Sequence, residues 1–345
     1  MPTKVRQSNF ELLRILCMLG VMTNHVLQTC YPDLHSVDFG IASLSRIFLM
    51  CISITAVNCF VMISGYFRIK PSWKGFFNLY TQCAFYMLIL TSLAAIFFDA
   101  PYLDIAKKTI FSLTGSGYWF LTSYFALYLF APVLNAAFER QDKRQRILSL
   151  AALLVMDIYI GYMHQAAEVS VNGYNAIHFF VIYYLGMFIS ENVITGKFIS
   201  RGGIWLVFSV LMVAMHSVKI VFPPFAVVFS MRYNSPAVMI ASVLLFCWAR
   251  EWKIQSKFIN WISISVLSVY IIHMGPAASH WFFEPLQRIT TQESAVLVCA
   301  ETAAFMLVFY ALCILIDKAR ILICTPINRG LTSVAEKVCS KLCLK

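Results

Sequence analysis

The chain has 345 residues, 60% of them hydrophobic and 12% charged, with a formal net charge of +11. A soluble domain of this length carries roughly twice that charged fraction to cover its surface, so a water-soluble fold is excluded. The apolar residues come in blocks near the roughly 20 needed to cross hydrocarbon, so the positive charge is read as facing anionic lipid and not nucleic acid.

In chain order, the apolar stretches lie at about 10–29, 41–66, 76–98, 118–138, 147–163, 176–194, 203–222, 234–249, 258–276 and 294–316. Each is long enough for a helix and too continuous for the alternating pattern of a barrel strand. The expected fold is therefore all-α: a polytopic membrane protein of about ten transmembrane helices. The first block begins at Phe10 and is followed by no small-residue cleavage site, so it reads as a retained span. An even number of spans puts both termini on one side.

Basic residues choose that side. Lys4 and Arg6, Arg68, Lys70 and Lys74, Arg140 through Arg146, Lys197 and Arg201, Arg250 through Lys257, and the C-terminal lysines and arginines all fall in one set of segments. The opposite set holds only Arg46, Lys107, Lys108, Lys219, Arg232 and Arg288. The rich set is expected in the cytoplasm, with both termini inside. Residues 1–316 form the membrane-embedded domain. The tail 317–345 mixes Leu, Ile, Val and Cys with Lys, which suits either an amphipathic helix on the inner membrane face or a frayed end. The external segment 99–117 has room for a short re-entrant or interfacial helix. The eleven cysteines show no metal-ligand spacing and read as small buried hydrophobes. No internal repeat and no pair of broken helices is evident, which counts against an inverted-repeat transporter.

An ionisable group at membrane depth is expensive and marks a candidate site. The first span carries Glu11, Arg14 and His25. Arg14 and His25 are eleven positions apart, three helical turns plus about 20°, so both project from one face with a rise of about 16 Å between them. Snorkelling to the interface is the plain structural role for Arg14, and an interhelical hydrogen bond that for His25. Glu11 stands three residues before Arg14, the spacing of a salt bridge that orients the guanidinium, and equally that of a first-turn acid. His35, His164, His178 and His280 fall in or beside external loops and are expected to be solvated. His216 lies in the seventh span. Asp157, in the fifth, has no obvious partner.

At these residues the chain resembles the bacterial acyltransferase-3 family, membrane-bound enzymes that O-acylate cell-surface polysaccharides and related glycans. Arg14, ten residues, then His25 resembles the family's first-span signature, and Asn9-Phe10-Glu11-Leu12-Leu13-Arg14-Ile15 resembles members that act on capsule and exopolysaccharide. Phe60 to Phe67, with Ser64-Gly65-Tyr66 inside it, is similar to the Ser-Gly-aromatic stretch of the second span. Tyr118-Trp119-Phe120-Leu121 with Tyr128 to Pro132, then Tyr183-Tyr184-Leu185-Gly186, then Ser268-Val269-Tyr270-Ile271-Ile272-His273 follow in family order.

The resemblance implies a bacterial plasma membrane location, an acyl-CoA donor (usually acetyl-CoA) used as co-substrate, and a surface polysaccharide or lipid-linked glycan acceptor. It implies no bound cofactor and no metal. Arg14, oriented by Glu11 and helped by Arg68, Lys70 and Lys74, is expected to hold the negative CoA phosphates. His25 is expected to act as general base on the acceptor hydroxyl, with an acyl-histidine intermediate also open. Ser64, Tyr66, Trp119 and His273 are expected around the substrate pocket. For each of these four a packing or interfacial role is the plain alternative. The rival function is a carrier or flippase for a glycan or small metabolite, in which Arg14 and His25 would line a conduction path.

Overall fold

The computed structural model describes residues 6–31, 40–170, 172–191, 201–222, 224 and 227–341. His35 and Lys197 lie outside the described residues. In chain order the helices are α1 (Ser8–Cys30), α2 (Ile41–Ser53), α3 (Ala56–Phe67), α4 (Trp73–Phe97), α5 (Leu103–Ile110), α6 (Trp119–Arg140), α7 (Lys143–Leu154), α8 (Ala176–Glu191), α9 (Gly202–Val221), α10 (Pro236–Arg250), α11 (Lys257–Ser263), α12 (Val266–His273), α13 (Glu284–Thr290) and α14 (Ala295–Lys341). A wider π-helical segment, Val155–Met163, continues α7, and another, Ser279–Phe283, precedes α13. The described residues contain no β-strand.

Each of the ten apolar stretches read from the sequence is mainly helical in its described residues. Seven helical stretches are long and apolar enough to cross a membrane: Ser8–Cys30, Ile41–Phe67, Trp73–Phe97, Trp119–Arg140, Lys143–Met163, Gly202–Val221 and Ala295–Lys341. Ala176–Glu191, Pro236–Arg250 and Lys257–His273 are apolar and shorter. Side chains such as Val207, Val210, Leu307, Val308 and Leu312 point out of the fold, as a hydrocarbon solvent allows. Polar caps punctuate the apolar text. Ser72 Oγ accepts from Gly75 N at 3.1 Å at the start of α4. Asp142 and Gln145 form a reciprocal capping box on α7. Ser235 caps α10, with Pro236 in the first turn, where a missing N–H costs nothing.

Three features depart from the expected plain helices. Two apolar stretches are interrupted, at Ile54–Thr55 between α2 and α3 and at Ile264–Ser265 between α11 and α12. The sequence shows neither break, because a single irregular turn inside an apolar run leaves the hydropathy unchanged. The third is α14, 47 residues long. It continues without a break through residue 317, where the sequence divides domain from tail. At 1.5 Å per residue it is about 70 Å long, roughly twice what crossing the hydrocarbon needs. The segment 99–117 contains α5, closed by an Asp104–Lys108 ion pair at 2.9 Å.

The chain divides into two compact units. The first comprises Met1–Ile69 and Phe130–Ile264. Its tightest contact is between α3 and α8. A Cβ on Gly65 would lie 2.0 Å from the Tyr183 carbonyl oxygen, and one on Gly186 would lie 2.3 Å from that of Met62. Only hydrogen side chains let two backbones approach this closely. The second unit comprises Lys70–Leu129 and Ser265–Lys345. Its core joins α4 to α14 through a buried polar knot. Arg320 Nε donates to Asp317 Oδ1 at 2.6 Å, and Tyr86 Oη donates to the same oxygen at 2.9 Å. Asp317 is wholly buried, and a buried carboxylate persists only with its charge and lone pairs matched in this way.

Candidate active site

In the first unit, the start of α1 is fixed by its polar residues and its aromatic ring. Asn9 Nδ2 donates to the carbonyls of Ala249 and Arg250, both at 3.1 Å, and so satisfies the end of α10. Ser8 Oγ accepts from Ser256 N at 3.0 Å. Phe10 is buried among Tyr66 at 5.0 Å, Phe67 at 5.1 Å and Phe246 at 5.3 Å, centroid to centroid. Tyr66, expected at the substrate pocket, is thus part of this aromatic cluster. Ser64 Oγ donates to the Phe60 carbonyl of its own helix at 3.2 Å.

On that anchored helix, Arg14 Nη1 donates to Glu11 Oε2 at 3.3 Å, the ion pair its spacing predicts. Arg6 Nη1 stands 4.0 Å from Glu11 Oε1. Glu11 is nearly buried, with 11% of its side chain exposed, whereas Arg14 keeps 31%. The carboxylate therefore holds the guanidinium from the protein side and leaves part of it open. Three turns on, His25 is half-buried. Its neighbour Asn24 is buried and accepts from Gln28 Nε2 at 2.9 Å.

Arg68 is held differently. It follows α3 with φ of 58°, in the left-handed region that a non-glycine residue adopts only when its surroundings require it. The surroundings are Asn135 and Tyr183. Asn135 Nδ2 donates to the Ile69 carbonyl at 2.9 Å, Ile69 N donates to Tyr183 Oη at 2.8 Å, and Tyr183 Oη donates to Asn135 Oδ1 at 2.8 Å. The Arg68 guanidinium then pairs with Glu139 at 3.0 Å and with Glu191, which Arg146 also engages. Both arginines lie over the Phe138 ring. Glu139, Arg146 and Glu191 come from separate segments, and no local spacing announces this cluster.

The first unit also holds a site that sequence reasoning missed. His178, expected beside a loop and solvated, is wholly buried in α8. Its Nδ1 lies 2.6 Å from Asp157 Oδ2, and its Nε2 lies 3.0 Å from Asn58 Oδ1. Asn58 Nδ2 donates to the Tyr233 carbonyl at 2.9 Å, which turns its oxygen toward the imidazole. Nε2 therefore carries a proton, and a second proton is held between Nδ1 and the carboxylate. Asp157 thus has its partner 21 residues away, beyond the reach of any helical spacing. Of the other histidines, His280 is exposed, stacks on Phe98 at 4.1 Å and pairs with Glu284 at 2.7 Å. His164 packs edge-on to Tyr159, and His216 is buried in α9.

In the second unit, Trp119 and His273 occupy neighbouring but different places. A cavity of about 260 Å³ is lined by Trp119, Tyr270, Ser116, Gly117, Lys108 and Pro276, among others. Tyr118 Oη donates to the Ile271 carbonyl at 2.9 Å and so ties the start of α6 to α12. His273 is wholly buried beside Tyr270, with ring centroids 5.9 Å apart, and is not among the residues that line the cavity. Its Nδ1 donates to the Val269 carbonyl at 2.7 Å, which fixes the tautomer.

The sequence landmarks thus pair off in space. Ser64-Gly65-Tyr66 lies against the stretch from Tyr183 to Gly186 in one unit, and Tyr118-Trp119 against the stretch from Tyr270 to His273 in the other. A family profile described as an acyltransferase domain matches residues 7–318, which takes in both pairs and the first-span Arg14 and His25. No curated protein and no solved structure gives a match. The profile spans nearly the whole chain, and the chain belongs to the acyltransferase-3 family, enzymes that transfer acyl groups.

Proposed function

We propose that this enzyme transfers an acyl group, acetyl in the simplest case, from cytoplasmic acyl-CoA to a hydroxyl of a cell-surface polysaccharide or lipid-linked glycan precursor, at the bacterial plasma membrane. The observation that carries the reading is α1, which presents a half-open arginine held by Glu11 and, three turns away, a half-buried histidine. The distribution of basic residues supports cytoplasmic termini, and with them Arg14 toward the inner face, where CoA is found.

The division of labour follows from charge and reach. CoA carries several phosphate charges, which a partly exposed guanidinium binds through directed N–H groups. The pantetheine arm is long and thin, and runs along the helix from the Arg14 level toward His25. There the acceptor oxygen attacks the thioester carbonyl, and His25 takes the hydroxyl proton. The carbon–sulfur bond breaks as the ester forms, and the imidazolium returns the proton to the departing CoA thiolate. The ester and free CoA are the products, and His25 ends as it began. Half-burial of the imidazole suits the role, because it leaves one side of the ring open to the acceptor while protein packs the other.

The test is transfer of radiolabelled acetyl from acetyl-CoA by purified protein in liposomes. Labelled glycan, or slow labelled hydrolysis, that disappears in His25→Ala supports the reading. Full activity in that variant overturns His25 as base. A carrier is the competing reading, favoured by the interruption of two apolar stretches, since broken helices form the sites of many transporters. Glycan flux in vesicles without acyl-CoA would establish it.

A further inference from the structure

The cavity of the second unit combines features that an apolar channel does not need. Its volume is about 260 Å³. At about 30 Å³ per water molecule, this equals roughly nine waters, room for one pyranose ring. Trp119 and Tyr270 give it aromatic walls. Ser116 lines it with only 8% of its surface exposed, and Ser116 Oγ has no hydrogen-bond partner among the described residues. A buried hydroxyl left unmatched is costly, so something polar belongs opposite it.

The remaining lining narrows the class of ligand. Lys108 also faces the cavity, and its ammonium is paired with Asp104 at 2.9 Å. Its charge is thus compensated locally, while two of its three N–H groups are left for other acceptors. An anion would call for an uncompensated cation, and a plain acyl chain would leave Ser116 unmatched. A ring that is apolar on its faces and hydroxylated on its rim satisfies every wall. Gly117 lines the cavity with bare backbone. Its φ is +87°, and a Cβ there would meet nothing within 4 Å, so the backbone borders open space.

We infer that this cavity is a monosaccharide subsite, which seats one pyranose ring of the acceptor glycan with Trp119 and Tyr270 against the ring and Ser116 Oγ and Lys108 Nζ on its hydroxyls. The inference rests on the glycan acceptor of the proposed function and adds where, and in what unit, that acceptor is held.

Saturation-transfer NMR on the full chain in lipid nanodiscs tests it, with the methyl glycosides of glucose, galactose, mannose and N-acetylglucosamine as probes. Cyclohexanemethanol, a ring of similar size with one hydroxyl, is the control. At least one glycoside is expected to bind saturably. Ser116→Val and Lys108→Met are each expected to weaken it at least about fivefold, and a circular dichroism spectrum equal to wild type shows that α5, which loses its Asp104–Lys108 pair in the second variant, stays folded. No saturable binding of any glycoside, equal binding of the control, or unchanged affinity in both variants would overturn the inference. His25-dependent acetyl transfer without sugar binding removes the subsite alone. Sugar binding with full transfer in His25→Ala removes the catalytic assignment alone.

Discussion

His178 Nδ1 lies 2.6 Å from Asp157 Oδ2, with both side chains wholly buried and Asn58 closing the other ring nitrogen. The contact ties the π-helical continuation of α7 to α8 and, through Asn58 and Tyr233, to α3 and the approach to α10. A buried hydrogen-bonded pair of this kind is worth little against a well-packed apolar pair, but losing one partner leaves the other buried and unsatisfied. Asp157→Ala is therefore expected to cost about 3–5 kcal/mol of stability. In the double variant Asp157→Leu, His178→Phe, the loss should be smaller than the sum of the two single losses. Unfolding in detergent followed by circular dichroism measures both, and strict additivity would dissolve the pair as an energetic unit.

Gly65 and Gly186 set the distance between α3 and α8. Because a methyl group at either position would fall 2.0–2.3 Å from a backbone oxygen, Gly65→Ala and Gly186→Ala must force the helices apart. Each is expected to lower stability by about 1–3 kcal/mol. A melting temperature equal to wild type in both would show that the helices do not pack at this distance.

His25→Ala is expected to abolish acyl transfer, with a loss of at least about a hundredfold for removal of a general base. Insertion and melting temperature should stay near wild type, since His25 is only half-buried. Single-turnover assays with labelled acetyl-CoA read the rate. His25→Gln, which keeps a hydrogen-bonding group but supplies no base at this strength, should be equally inactive.

Arg14 and Arg68 separate in their expected effects on the donor. The Arg14 guanidinium has one carboxylate partner and an open side, whereas Arg68 is engaged by Glu139 and Glu191. Arg14→Ala is expected to raise the KM for acetyl-CoA about tenfold or more. Arg68→Ala should raise it less and lower the melting temperature instead. The reverse order would assign CoA recognition to the Arg68 cluster.

Glu11→Gln probes the orienting pair without changing shape. With the charge on Glu11 removed, Arg14 loses its fixed partner, and the KM for acetyl-CoA is expected to rise about three- to tenfold with kcat little changed. An unchanged KM would reduce Glu11 to a first-turn acid.

What the sequence determined by itself is what depends on neighbours along one helix. Block hydropathy located all ten apolar stretches, and an i,i+3 spacing was enough for the Glu11–Arg14 pair, because both signals are written within a few turns of chain. The tertiary structure alone decided which helices meet, at what height and with which faces. His178 looked like a loop residue because hydropathy blurs a helix start by several positions, and its partner Asp157 belongs to another helix. Arg68 reads from sequence as an inner-loop cation that helps Arg14 hold the CoA phosphates, and its engagement by Glu139 and Glu191, the latter shared with Arg146, needed segments that only the fold brings together. The landmark stretches could be named from sequence. Their pairing two by two required the relative rotation and register of packed helices, which no periodicity along a single chain encodes.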